Sequence, residues 1–142
     1  MTDLERAKAF FKNDQFAIKT TGAEILAVGD HYAKCRLILD ERHMNASGRV
    51  MGGVYYTLAD FAFAVAANFD QPPTVTAVSQ ISYLGVPKGN TLTAESRLLK
   101  DGRRTCFYEI TITDETGTMV AVVSTTGAHI SAFRPEHDTG GH

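Results

Sequence analysis

Tryptophan is absent from this chain, cysteine occurs only twice, and its four prolines are confined to positions 72, 73, 87 and 135. With no proline before residue 72, the first half is free to build uninterrupted helices and strands. Cys35 and Cys106 form no CxxC or other ligand spacing. Both alternate with apolar neighbours, which reads as buried free thiols of a cytoplasmic protein. The five histidines (His31, His43, His129, His137 and His142) make no HxxxH or HExxH pattern, so the expectation is no metal and no cofactor. GxSxG, P-loop and dinucleotide fingerprints are missing as well. Neither sign of charge is in excess: 14 basic and 16 acidic residues leave a net charge of −2, which gives no footprint for nucleic acid or an anionic membrane. The opening "MTDLERAKAFFKND" holds no continuous apolar run and is not read as a secretory signal.

What the chain does contain is one extended charge desert. Between Arg49 and Lys88 the only charged residues are Asp60 and Asp70. Within it, "MGGVYYTLADFAFAVAANF" (residues 51–69) reads as a helix that is apolar or small nearly all round, with Asp60 in its middle. Residues 54–69 are too few to span a bilayer and include Thr57, Asp60 and Asn68, so a core helix is expected and no membrane partner. A buried carboxylate without a partner costs several kcal/mol. Asp60 therefore needs a reason to be there.

Around this helix the pattern is mostly extended. Residues 3–13 suit an amphipathic helix with Leu4, Ala7 and Phe11 on one stripe. Strands are expected at 23–28, 31–39, 74–84, 91–100, 104–113 and 118–130, from apolar alternation between turn residues. "PKGN", "KDGRR" and "DETG" look like hairpin turns. The fold class is therefore α+β: one domain over 1–133, a curved antiparallel sheet around one long central helix, and a disordered tail at 134–142. One sheet cannot cover so apolar a helix on every side. A curved sheet, a dimer partner, or both must hide the remainder, and at least a homodimer is expected.

Residues 43–68, "HMNASGRVMGGVYYTLADFAFAVAAN", resemble the signature of the hotdog-fold acyl-CoA thioesterases, in the PaaI-like branch of the 4HBT superfamily associated with phenylacetate degradation. Asn45, Gly48, the Gly52-Gly53 pair and Asp60 in "TLAD" stand at the family's spacing, and "TAVSQISYLGVPKGNTL" resembles its third strand and following turn. The resemblance spans about residues 20–130. It implies hydrolysis of an acyl-CoA substrate, a homodimer or dimer of dimers, and sites shared between subunits. One position departs: Met51 stands where the family has the histidine of a His-Gly-Gly triplet.

Each implied role has a plain alternative. Gly52 N–H at a helix start can polarise a thioester oxygen, or the glycine pair merely turns the chain. Asp60, with its pKa raised by an apolar setting, can act as general base or nucleophile, or bond across an interface. Asn45 is common in turns, but at the family's spacing its amide would orient water or the carbonyl. Met51 and Gly53 would line the substrate, and Thr76 falls where the family places a hydroxyl that assists the carboxylate, although threonine is also a good strand former. His43 is read as a solvated loop histidine. Lys88 and Arg103-Arg104 are read as solvated turn residues. Met51 keeps open an alternative on the same fold, a module that binds acyl-CoA or another apolar ligand without turnover. A dehydratase would need a histidine that this motif lacks.

Overall fold

The computed structural model describes residues 1–130, so the tail expected to be disordered at 134–142 lies outside the described residues. Helix α1 (Asp3–Phe11) starts where the Thr2 hydroxyl accepts from Glu5 N–H at 3.1 Å, and it buries Ala7 and Phe11. Six strands follow: β1 (Glu24–Gly29), β2 (Tyr32–Ile38), β3 (Thr74–Tyr83), β4 (Thr91–Asp101), β5 (Thr105–Asp114) and β6 (Met119–His129). Between β2 and β3 runs α2 (Gly52–Asn68). A seven-residue π-helical turn at Gln15–Thr21, closed by left-handed Gly22, had no signal in the sequence pattern.

All six strands are antiparallel in the order β1-β2-β4-β5-β6-β3. β2 alternates as read: Ala33, Cys35 and Leu37 point inward, while Tyr32, Lys34 and Arg36 lie on the wetter face. Bulges interrupt the register at Ile25/Ala27, Thr76/Val78, Leu98/Lys100 and Ile112/Thr113. Each adds local bend and twist, so the sheet curls around α2 instead of lying flat against one side. Leu58, Phe61, Phe63 and Val65 of the helix are packed into this concave face with Leu37, Leu92, Ile110, Ile112 and Val123. Burying each such side chain contributes about 1.5–3 kcal/mol. Phe63 and Tyr108 meet edge-to-face at 5.5 Å. Among the described residues no helix is long and apolar enough to cross a membrane.

Two expectations need correction. "PKGN" is not a hairpin turn, because β3 pairs with β6 and β4 pairs with β2. The segment crosses over instead and docks on the β5–β6 turn: Lys88 and Gly89 N–H donate to Asp114, and Asn90 and Thr91 N–H donate to Glu115. A side chain at Gly89 would collide with the Glu115 carboxylate, which explains the glycine. Secondly, the chain covers α2 more completely than its apolarity suggested. The helix residues that are not buried are Gly52, Gly53, Val54, Tyr56, Thr57, Asp60, Ala64 and Asn68. One run of uncovered apolar side chains lies on the edge strand and its exit, at Val75, Val78, Tyr83, Leu84 and Val86, while Phe10, Phe16, Ile38, Met51 and Leu99 are exposed elsewhere.

Candidate active site

The loop before α2 is built by short-range hydrogen bonds that aim the helix start outward. Asp40 caps a 3-10 turn at Glu41–His43, and His43 is buried rather than solvated. Its Nδ1 accepts from Asp40 N–H at 2.9 Å, and Nε2–H donates to the Thr21 carbonyl at 2.6 Å. The ring is a structural peg, because both nitrogens are occupied within the chain. Its carbonyl takes Met51 N–H at 2.9 Å. Asn45 closes the next turn: its Oδ1 accepts from Ser47 N–H at 2.9 Å and Arg49 N–H at 3.1 Å. The amide oxygen is thus committed to the loop, and only the Nδ2 group remains to donate elsewhere.

Met51 then takes an extended conformation as the N-cap, with its side chain exposed. Gly52 and Gly53 open the helix. The first amides of a helix have no intrahelical acceptor, and among the described residues neither of these N–H groups finds a partner. They carry the positive end of the α2 dipole toward solvent. The two glycines differ in what they permit. A Cβ on Gly52 would lie 2.8 Å from the Tyr83 hydroxyl, whereas on Gly53 it would meet only the tip of Met51 at 4.0 Å. Tyr83, at the end of β3, donates its hydroxyl to the Gly52 carbonyl at 3.2 Å and stands 6.0 Å from the Tyr55 ring. Residue-by-residue reading missed Tyr83. The available signal was an aromatic at the end of the strand that the family motif already singled out.

Asp60 is half-buried on α2. Burial raises its pKa above the ordinary carboxylate range, with a smaller push in the same direction from Asp14, while a hydrogen bond from Thr76 opposes the rise. That bond runs from Thr76 Oγ1 to Asp60 Oδ1 at 3.4 Å. The strand-former and the carboxylate are therefore brought together. Gly52 and Asp60 are not: eight residues on one helix separate them by about 12 Å along its axis.

Between the loop at 44–50 and the crossover at 85–90 lies a groove of about 390 Å³, lined by Leu39, Met44, Val50, Tyr55, Val86 and Pro87 among others. A free amide pair, a half-buried carboxylate with a raised pKa and an apolar groove are the parts an acyl-transfer site requires.

A family model described as "Thioesterase superfamily" matches residues 47–121, more than half of the chain and the whole of α2 and β3. The chain belongs to the thioesterase superfamily. Among curated relatives, this thioesterase-family protein is 29% identical over 119 residues to the acyl-coenzyme A thioesterase PaaI of Escherichia coli, covering 83% of this chain and 84% of that one. It is also 29% identical over 125 residues to a putative esterase of Archaeoglobus fulgidus, covering 87% and 80%. The solved E. coli PaaI structure superimposes with a TM-score of 0.82 at 26% identity, over 89% of this chain and 92% of that one. A hypothetical thioesterase protein of Streptococcus pneumoniae solved with coenzyme A gives 0.76 at 25% identity, over 83% and 94%. The architecture is the hotdog fold, as the sequence implied.

Proposed function

We propose that this protein hydrolyses acyl-CoA thioesters to the free acid and CoA, at a site that two copies of the chain build together. The observation that carries this reading is the arrangement of α2: unpartnered N-terminal amides at one point and a half-buried carboxylate, Asp60, two turns further on. In the reaction, the Gly52 N–H holds the thioester oxygen as negative charge develops on it. Asp60 either takes a proton from the attacking water or attacks the carbonyl carbon itself. Collapse of the tetrahedral intermediate breaks the C–S bond, and the CoA sulfur leaves with the electron pair. When Asp60 is the base, its proton passes to that sulfur; when it is the nucleophile, water opens the acyl-Asp60 anhydride to release the acid and restore the carboxylate. The Asn45 Nδ2 group is the donor left to steady the carbonyl or water, and Met51 and Gly53 line the approach. The groove beside Val50 and Val86 accepts the apolar part of the substrate. Hydrolysis of a panel of aromatic and aliphatic acyl-CoAs, followed by release of free thiol, tests this. Saturable binding without thiol release across the panel would leave the non-catalytic binding module, the reading that Met51 in place of histidine favours.

Two copies are needed because about 12 Å of helix is too far for one chain's Gly52 and Asp60 to act on one carbonyl. β3 supplies the means of joining. It is a ten-residue edge strand, paired on one side only, with Val75 and Val78 exposed. Such an edge is a template for a further strand. Antiparallel pairing of β3 with its copy continues the sheet and sets the Asp60 of one protomer toward the helix start of the other, in a dimer or a dimer of dimers. Val78→Lys places a charge on that edge and should give a monomer in sedimentation, with hydrolysis lost in parallel. A dimeric variant with wild-type turnover would refute the arrangement. The buried free thiols of Cys35 and Cys106 suit a reducing, cytoplasmic setting.

Thr76 tunes Asp60. Because its hydrogen bond favours the ionised carboxylate, Thr76→Val should raise the Asp60 pKa further. The acidic limb of the kcat/KM profile should therefore move to higher pH, with the plateau above it little changed. A limb that stays put, or moves to lower pH, would show that the hydroxyl does not act on Asp60.

A further inference from the structure

At the end of the sheet beyond the C-terminus of α2, four strand ends and one turn bring together side chains that the hydrolytic site does not use. Asp101 ends β4, Cys106 opens β5, and the two are cross-strand partners. Cys106 in turn pairs with Gly127 of β6, where a Cβ would come within 2.7 Å of the Cys106 sulfur, and His129 lies two residues further on, opposite Thr74 of β3. Ligand atoms of Asp101, Cys106 and His129 all lie within 4.8 Å of one another. His31 enters from the β1–β2 turn with a φ of 53°, a left-handed conformation uncommon for a side-chain-bearing residue.

Both nitrogens of each ring lie against an oxygen atom. Thr74 Oγ1 has a single proton and donates it to the Pro72 carbonyl at 2.9 Å. Its 2.8 Å contact with His129 Nδ1 is then a bond that the ring donates. The other ring nitrogen, Nε2, faces Asp101 Oδ1 at 2.9 Å. His31 repeats the pattern. Its Nδ1 lies 3.1 Å from Asp30 Oδ1, an acceptor, and its Nε2 lies 3.2 Å from Asp101 Oδ2. Two imidazole rings thus converge on one carboxylate, each through its Nε2.

We infer that Asp101, Cys106 and His129, with His31 beside Asp101 at the edge of the group, form a binding site for a divalent transition-metal ion of the zinc class. The donor set of imidazole, thiolate and carboxylate is the one that such ions take. Thr74 and Asp30 hold the far nitrogens of the two rings, the outer support that metal-ligating histidines ordinarily have. Tetrahedral ligands at about 2.0–2.3 Å from the ion stand about 3.3–3.7 Å apart, a spacing reached by small side-chain shifts from the present one. Both rings retain some exposure, 19% for His31 and 12% for His129, so an ion can enter. The ion carries two positive charges against the carboxylate of Asp101 and the thiolate of Cys106, whose proton it displaces. The site lies away from the helix start and is a staple between β3, β4, β5, β6 and the β1–β2 turn, not part of the hydrolytic machinery.

The test uses the full-length protein stripped with a chelator and titrated with Co²⁺. One ion per chain should bind in the submicromolar to micromolar range, with a thiolate-to-cobalt charge-transfer band in the near ultraviolet and d–d bands in the visible. Zn²⁺ should displace it and raise Tm. Cys106→Ser should remove the charge-transfer band, and Asp101→Asn and His129→Gln should each weaken binding at least tenfold. All three substitutions are close in size, and a wild-type-like circular dichroism spectrum confirms the fold. The double variant His137→Ala/His142→Ala in the tail should bind as wild type. Failure of the wild-type protein to bind Co²⁺ saturably below the millimolar range would overturn the inference and leave a cluster neutralised by protonated rings. Binding that survives Asp101→Asn and His129→Gln but is lost with the tail histidines would overturn it equally.

Discussion

Asp60→Asn should lower kcat by roughly 10²–10⁴-fold while leaving the oligomeric state unchanged and, at neutral pH, making the protein more resistant to heat. The amide is nearly the shape of the carboxylate but can neither take a proton from water nor attack a thioester. Both roles open to Asp60 require the ionised form, so both are lost together. The gain in stability follows from linkage. Burial raises the folded-state pKa above the unfolded value, so the folded protein holds the proton more tightly. Stability is therefore highest below the unfolded pKa of about 3.9 and is lost as pH rises through the folded pKa. Asparagine carries no such penalty. Its Tm advantage over wild type should be present at pH 7 and should shrink in acid, where the wild-type carboxyl is also neutral. Wild-type turnover in this variant would remove Asp60 from the reaction. A lower Tm at pH 7 would show instead that the carboxylate has a stabilising partner.

Gly52→Pro should cost roughly 10²–10³-fold in kcat, the usual effect of removing one oxyanion donor, and the backbone is already suited to the substitution. Proline is favoured at the first position of a helix, and the residue before it must be extended. Met51 has φ −66° and ψ 137°, which meets that demand. No intrachain bond is broken, because the Gly52 N–H makes none among the described residues. The new Cβ presses on Tyr83 at 2.8 Å, but that ring is exposed and can swing aside. Gly52→Ala imposes the same Cβ and keeps the N–H, so the difference between the two variants isolates the donor. A loss in the alanine variant as large as in the proline variant would assign the effect to Tyr83.

The same two variants test the shared site. If Gly52 of one protomer works with Asp60 of the other, a heterodimer of Gly52→Pro and Asp60→Asn chains has one intact site and one doubly defective site. Random mixing should then recover roughly a quarter of wild-type activity in a symmetric dimer. A site within one chain would recover none.

Much of this was legible in the one-dimensional pattern. The alternation in β2 and β5, the apolar run of α2 and the glycine-to-aspartate spacing depend on residues close in sequence, and local periodicity records such relations directly. Asp60 stood out because the run around it has no other charge before Asp70. The π-helical turn at 15–21 was silent because its period matches neither template. His43 was misread because its two partners, the Asp40 amide and the Thr21 carbonyl, are backbone groups with no sequence signature.

The sequence by itself determined the six strands, the two α-helices, their order and, through its motif, the family resemblance, and it singled out Asp60, since each is a matter of side-chain type and short-range spacing. Tertiary structure alone decided how the strands pair. "PKGN" has hairpin chemistry, yet β3 leaves for the far edge beside β6 because the sheet must close around α2. That choice exposes Val75 and Val78 on an unpaired edge, moves the apolar surface awaiting a partner from the helix to the strand, and places Thr76 over Asp60. It also draws His31, Asp101, Cys106 and His129 together from positions up to 98 residues apart. Strand pairing is a global solution to packing and backbone hydrogen bonding, and so no local spacing could announce what it brings into contact.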